Sequence, residues 1–199
     1  MGTSHLEAGR ETVGAGDPGL PPAWLVADLR TDHAGETGAV MIYRGILAVS
    51  RDADVRQFAE RHLATEVGHL ADIEPLLSDR QRSRLLLLWR MAGWLTGALP
   101  ALLGPRAVYA TIEAVETFVD RHYAEQIESI DQQGSDSLQP PLQALRVLLE
   151  TCRGDEVAHR DEAAALFALG GQPPSLAIGF WVWLVGTGSR VAVSICRRF

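Results

Sequence analysis

Two stretches, HLATEVGHLADI over residues 62–73 and CRGDEVAHRDEA over residues 152–163, carry the same internal pattern. It is Glu66-Val67-Gly68-His69 in the first and Glu156-Val157-Ala158-His159 in the second. A glutamate and a histidine at this spacing share one face of an α-helix, so both side chains reach a single point. One such pair on an amphipathic helix is ordinarily a solvated face. Here each pair follows a further glutamate on the segment before it, Glu36 in the first case and Glu116 in the second. The order Glu, Glu-x-x-His, Glu, Glu-x-x-His is a two-fold repeat of a helical hairpin. The neighbours at helical spacing are small or apolar: Ala39 and Val40 after Glu36, Leu70 and Ile73 near His69, Ile112 and Val119 around Glu116, Ala163 after His159. The face that carries the ionisable groups is therefore the face that packs.

The surrounding sequence supplies four long helices. After Pro21-Pro22, residues Trp24, Leu25, Leu29, Val40, Tyr43, Ile46 and Leu47 recur at helical intervals, with no proline before Pro75. The polar break from Ser50 to Asp54 offers Ser50 or Asp52 as N-cap of a second helix ending near Leu77. Pro105 suits the first turn of a third, which runs to the turn at Gln133-Gly134-Ser135. Pro140-Pro141 opens the fourth and Gly170-Gly171 closes it. Runs of alternating β-branched residues are missing. The expected fold is all-α, a four-helix bundle of two hairpins with helices of roughly 40 Å.

Composition bounds the rest. The chain has 199 residues, 47% of them hydrophobic, and 18 basic against 25 acidic side chains, a net charge of −7. That suits one domain with a sizeable core and disfavours a nucleic-acid partner. All the positive charge is arginine. Two cysteines, Cys152 and Cys196, make neither a disulfide framework nor a metal-binding CxxC. Residues 1–22 read as a flexible tail without the features of a signal peptide, and 23–199 as the single domain. Two apolar segments, 85–104 and 176–196, raise the membrane question. A span would carry Arg90 or Arg190 to the bilayer interior, at about 2.5–3.5 kcal/mol each. Trp89, Trp94, Trp181 and Trp183, with flanking arginines such as Arg82, Arg90 and Arg197, fit helices lodged in the membrane interface better.

Four glutamates on core faces need compensation, because a carboxylate removed from water without a partner costs several kcal/mol. Two divalent cations among them would bring the site close to neutrality. Carboxylate oxygen and imidazole nitrogen without thiolate suit iron or manganese better than a structural zinc site.

Asp32-His33-Ala34-Gly35-Glu36-Thr37-Gly38-Ala39 resembles the opening motif of the demethoxyubiquinone hydroxylases, ferritin-like di-iron monooxygenases of ubiquinone biosynthesis. Both Glu-x-x-His pairs, His122-Tyr123 with Gln126-Ile127, and the apolar stretches around Trp89 and Arg190 resemble the same family, over about residues 24 to 199. Thr117 and Arg121 depart from its usual pattern, and neither is a ligand position. The resemblance implies two Fe2+ ions held by Glu36, Glu66, His69, Glu116, Glu156 and His159, with Glu66 and Glu156 bridging. It implies hydroxylation of a ring carbon of a polyprenylated demethoxy-benzoquinol with O2. The reductant would be NADH or quinol, and a homo-oligomer or a lipid-binding partner protein would accompany it. Tyr123, His122 and Asp155 are the candidate supporting residues. Tyr123 lies seven residues after Glu116, and Asp155 is placed to orient a ligand histidine. His62, four residues before Glu66, reads as a packing or interfacial residue rather than a ligand. The expected location is peripheral, on the cytoplasmic side of a bacterial inner membrane or the matrix side of the mitochondrial one. The competing reading is a ferritin-like iron-binding or peroxide-scavenging protein.

Overall fold

The computed structural model describes residues 21–133, 139–171 and 173–198. The expected tail therefore lies outside the described residues up to residue 20, as does the turn at Gly134-Ser135. Among the described residues six helices follow one another: α1 (Val26–Val49), α2 (Ala53–Ile73), α3 (Leu86–Leu103), α4 (Pro105–Asp131), α5 (Pro140–Ala168) and α6 (Leu176–Cys196). Among the described residues there is no strand, as the sequence predicts.

Local chemistry sets the helix ends. Asp52 caps α2, its Oδ1 accepting the Val55 N–H at 3.0 Å. The Arg56 guanidinium donates to the carbonyls of Leu47 and Ser50 at 2.7 and 3.2 Å and so closes the end of α1. Helix α2 stops at Ile73, short of the expected Leu77, because Pro75 has no N–H to continue the ladder. One 3-10 turn, Glu74–Leu76, finishes the segment. Pro105 and Pro140 each open a helix, where a missing N–H is harmless. Gly104, at φ 101°, makes the left-handed step between α3 and α4.

Helices α1 and α2 form one hairpin and α4 and α5 the other. Two apolar clusters fill the bundle, one around Tyr43, Ile46, Phe58 and Ile112, the other around Leu29, Ile73, Tyr123 and Leu149. On every helix of the bundle the glutamate of the repeat falls between these clusters: Glu36 between Leu29 and Tyr43, Glu66 between Phe58 and Ile73, Glu116 between Ile112 and Tyr123, Glu156 between Leu149 and Ala163.

The apolar link is a helix packed on α1. A Cβ added at Gly97 would lie 1.9 Å from the Ile42 carbonyl oxygen, and one at Gly93 would lie 2.3 Å from that of Gly38. Only glycine lets the two backbones approach so closely. The outer faces of α3 and α6 stay exposed, with Leu87 and Leu102 on α3 and Leu176, Phe180 and Trp183 on α6. The expected anchors divide accordingly. Trp94 and Trp183 are exposed. Trp89 and Trp181 turn inward, their indole N–H groups donating to Ser83 and Thr111 at 3.2 and 2.9 Å. Arg82 and Arg197 are likewise engaged, each 2.8 Å from a carboxylate, Glu74 and Asp28.

Candidate metal centre

The bundle brings all six residues of the repeat together in its middle, each less than a tenth exposed. They form two overlapping groups, Glu36, Glu66, His69 and Glu156, and Glu66, Glu116, Glu156 and His159. Within each group the donor atoms lie within 4.8 Å of one another. Glu66 and Glu156 belong to both. The two pairs cross: His69 Nδ1 on α2 lies 3.2 Å from Glu156 Oε1 on α5, and His159 Nδ1 on α5 lies 3.1 Å from Glu66 Oε1 on α2. This is what antiparallel packing of two like pairs produces.

These atoms converge without satisfying one another. Glu36 Oε2, both Glu66 oxygens, Glu156 Oε2 and the Nδ1 atoms of His69 and His159 are buried and make no hydrogen bond. Buried polar atoms in native proteins are nearly always paired. Several unpaired donor atoms aimed at two common points fit cation ligation, and two divalent ions would balance four carboxylates.

The electrostatics agree. Burial, then the Glu156 charge, raises the Glu36 carboxyl to about 7. Burial and the same neighbour push Glu66 and Glu116 well above the usual carboxylate range. Burial opposes ionisation of Glu156 too, yet the adjacent His159 and His69 imidazoles hold it down at about 2. His69 rises to about 9, since Glu156, Glu36 and Asp155 outweigh the burial that opposes its charge. Burial of these carboxylates therefore favours their neutralisation, by protons or by cations.

Of the three candidate supporting residues, two touch candidate ligands. The Tyr123 hydroxyl donates to Glu36 Oε1. Asp155 Oδ2 lies 3.0 Å from His69 Nε2, on the far side of that imidazole from the site. His122 reaches none of the six candidate ligands. Its Nε2 is 3.0 Å from Asp32 Oδ1, and Gln126 donates to both Asp32 oxygens at 2.9 Å. Sequence reasoning missed Tyr43, whose hydroxyl donates to Glu116 Oε1 at 3.0 Å. The signal was in the repeat: Tyr43 follows Glu36 by the same seven residues that separate Tyr123 from Glu116. Each tyrosine serves the other helix's glutamate.

An apolar cavity of about 400 Å³ starts at the four glutamates and runs between α1, α4, α3 and α6. Ile42, Trp89, Gly93, Val115, Leu184 and Ala192 are among its walls.

Comparison with known proteins places this arrangement. The chain is 43% identical over 159 residues to the 3-demethoxyubiquinol 3-hydroxylase of Rhodospirillum rubrum, covering 77% of this chain and 71% of that protein. It is 33% identical over 135 residues to the human NADPH-dependent 3-demethoxyubiquinone 3-hydroxylase, mitochondrial, a match spanning 67% of this chain and 60% of that protein. With the protein of that name from Caenorhabditis elegans it shares 28% identity over 189 residues, 94% and 97% of the two chains. The family model for ubiquinone biosynthesis protein COQ7 matches residues 23–196. With that match running through both halves of the carboxylate and histidine repeat and both apolar helices, the chain belongs to the COQ7 family.

Proposed function

We propose that this protein is a di-iron monooxygenase that hydroxylates the ring of a polyprenylated demethoxyubiquinol in ubiquinone biosynthesis, residues 23–199 acting as one domain. The observation that carries the reading is the continuity of the two overlapping carboxylate and histidine groups with the apolar cavity above them. Glu36 and His69 would hold one ion, Glu116 and His159 the other, and Glu66 and Glu156 would bridge them. Iron supplies the binding and reductive activation of O2 when bound.

The chain's own groups do the rest. Tyr123 and Tyr43 fix the orientations of Glu36 and Glu116 through their hydroxyl protons. Asp155 holds the His69 ring so that Nδ1 faces the site. The apolar cavity walls exclude water and accept a substituted quinol ring with the start of its isoprenoid tail. Burial of the glutamates in this setting strengthens every interaction made with them.

Helices α3 and α6 are each long and apolar enough to cross a membrane, and their outer faces are exposed. We read them as lying in the interface, where an insoluble quinol enters the cavity between them from the lipid. Peripheral association with the inner bacterial or mitochondrial membrane follows. The reducing equivalents would come from a nicotinamide nucleotide or a quinol. The same exposed apolar faces disfavour an iron-storage cage, whose outer surface must be polar.

The test is iron content after anaerobic purification, followed by O2-dependent conversion of a demethoxyquinol analogue read by mass spectrometry. Two irons per chain and a product heavier by one oxygen atom are expected. Less than one iron per two chains, unchanged in Glu66→Ala and His159→Ala, would sink the di-iron reading. Iron without quinol turnover would favour the peroxide-scavenging reading.

A further inference from the structure

Beyond Tyr43, the Glu116 and His159 half of the centre connects to the protein surface through two side chains with no part in the scheme above, His62 and Glu162. Glu162, half-buried on α5, places Oε2 2.8 Å from His62 Nε2 on α2. Arg61 grips the other oxygen of the same carboxylate. His62 is buried, and its Nδ1 lies 3.3 Å from the Tyr43 hydroxyl. Tyr43, fully buried on α1, donates to Glu116 Oε1 at 3.0 Å. The His62 ring also stacks on the ring of His159 at 3.9 Å and packs against Phe58 at 4.1 Å. Three helices thus build one line that ends on two of the six candidate ligands.

Each link restricts the next. A carboxylate facing His62 Nε2 makes that nitrogen the N–H donor and leaves Nδ1 as an acceptor. The single Tyr43 proton then has two acceptors in reach, the Glu116 carboxylate at 3.0 Å and the His62 lone pair at 3.3 Å, and a three-centre bond shared between them, stronger toward Glu116, holds the phenol in place. Glu116 is held in orientation and His159 in ring plane.

The other half of the centre is braced differently. Tyr123 occupies the equivalent of Tyr43, but Cys152 stands four residues before Glu156 where His62 stands four before Glu66. Asp155 backs His69 there, whereas Thr65 occupies the matching place before Glu66. None of Tyr43, His62 and Glu162 lines the apolar cavity. Substitutions at these three positions therefore replace no residue of the cavity wall, which the line reaches only through Glu116.

We infer that Glu162, His62 and Tyr43 are positioning residues acting in series, which fix the Glu116 and His159 half of the centre from the protein surface. The inference rests on the metal-binding reading given above. Its test is anaerobic titration of the metal-free full-length protein with Co2+, read by visible absorption and chelator competition, with thermal melting in parallel. Wild-type protein is expected to take up two ions. Tyr43→Phe should weaken one of them by about 10- to 100-fold, shift its absorption and spare the other. Glu162→Ala should weaken the same ion, Glu162→Gln, which keeps a carbonyl acceptor, should restore it, and the double variant should match Tyr43→Phe alone. Unchanged affinity and spectrum in Tyr43→Phe, or additive losses in the double variant, would overturn the series. Affinity lost only in step with melting temperature would overturn the positioning role. Failure of the wild-type protein to bind Co2+ would instead strike the metal-binding reading itself.

Discussion

Asp155 Oδ2 on α5 lies 3.0 Å from His69 Nε2 on α2, so the residue beside one candidate ligand, Glu156, orients another on the opposite hairpin. A carboxylate behind a ligating imidazole fixes its tautomer and raises its basicity. Asp155→Ala is therefore expected to lower affinity for the ion at the Glu36 and His69 position by about 10- to 100-fold. Metal titration of the purified variant checks this. Equal affinity in variant and wild type would show that Asp155 is only a surface partner of His69.

What the sequence discloses and what it hides follow from the range of the interactions. Glu36, Glu66, His69, Glu116, Glu156 and His159 announce themselves because their pairing is local and repeated: a helix turn sets Glu-x-x-His, and the hairpin repeats it. Tyr123 was legible from its seven-residue spacing, and Tyr43 carried the same signal unread. Glu162 and His62 lie 100 positions apart in the chain, and no periodicity reports that contact. Trp181 hides its partner in the same way, Thr111 lying 70 positions away, whereas Trp89 turns to Ser83 only six positions before it. An amphipathic residue beside an apolar run reads as an anchor, until Ser83 and Thr111 are seen to take its N–H.

Close packing of α1 on α3 gives a stability prediction. The Cβ of alanine at position 97 would sit 1.9 Å from the Ile42 carbonyl oxygen, which is backbone and cannot swing aside. Gly97→Ala should destabilise the protein by about 1–3 kcal/mol, the usual cost of overpacking a tight contact. Chemical denaturation with an unchanged m-value is the check. A neutral result would mean that α3 slides freely on α1.

The exposed face of α6 gives a membrane prediction. Phe180 and Trp183 are 63% and 61% exposed and stack on each other at 5.9 Å, clear of the cavity above the carboxylates. Burying an aromatic or large aliphatic side chain contributes about 1.5–3 kcal/mol. The double variant Phe180→Ser, Trp183→Ser should therefore bind vesicles at least about tenfold more weakly in co-sedimentation, with its metal content unchanged. Undiminished vesicle binding would remove α6 from the docking surface.

The proton store at the centre predicts how the metal-free protein responds to pH. Its Glu36 carboxyl titrates at about 7 against an ordinary 4.5, so the folded form holds a proton that the unfolded chain has lost between those values. Stability then falls as pH rises through this window. His69, raised from 6.5 to about 9, acts in the same direction: its contribution is complete below 6.5 and is lost as pH climbs to 9. His62, lowered from 6.5 to about 4, works oppositely, but only below 6.5. Between pH 6.5 and 9 the metal-free protein should therefore lose stability steadily, His69 alone accounting for on the order of 3 kcal/mol. Cations displace these protons, so loading at pH 7 should release protons into a weakly buffered solution and flatten the profile. Melting curves with and without Mn2+ across this range are the measurement. The gap between them should widen with pH, and a metal-free protein that grows more stable from 6.5 to 9 would refute the account of the buried carboxylates.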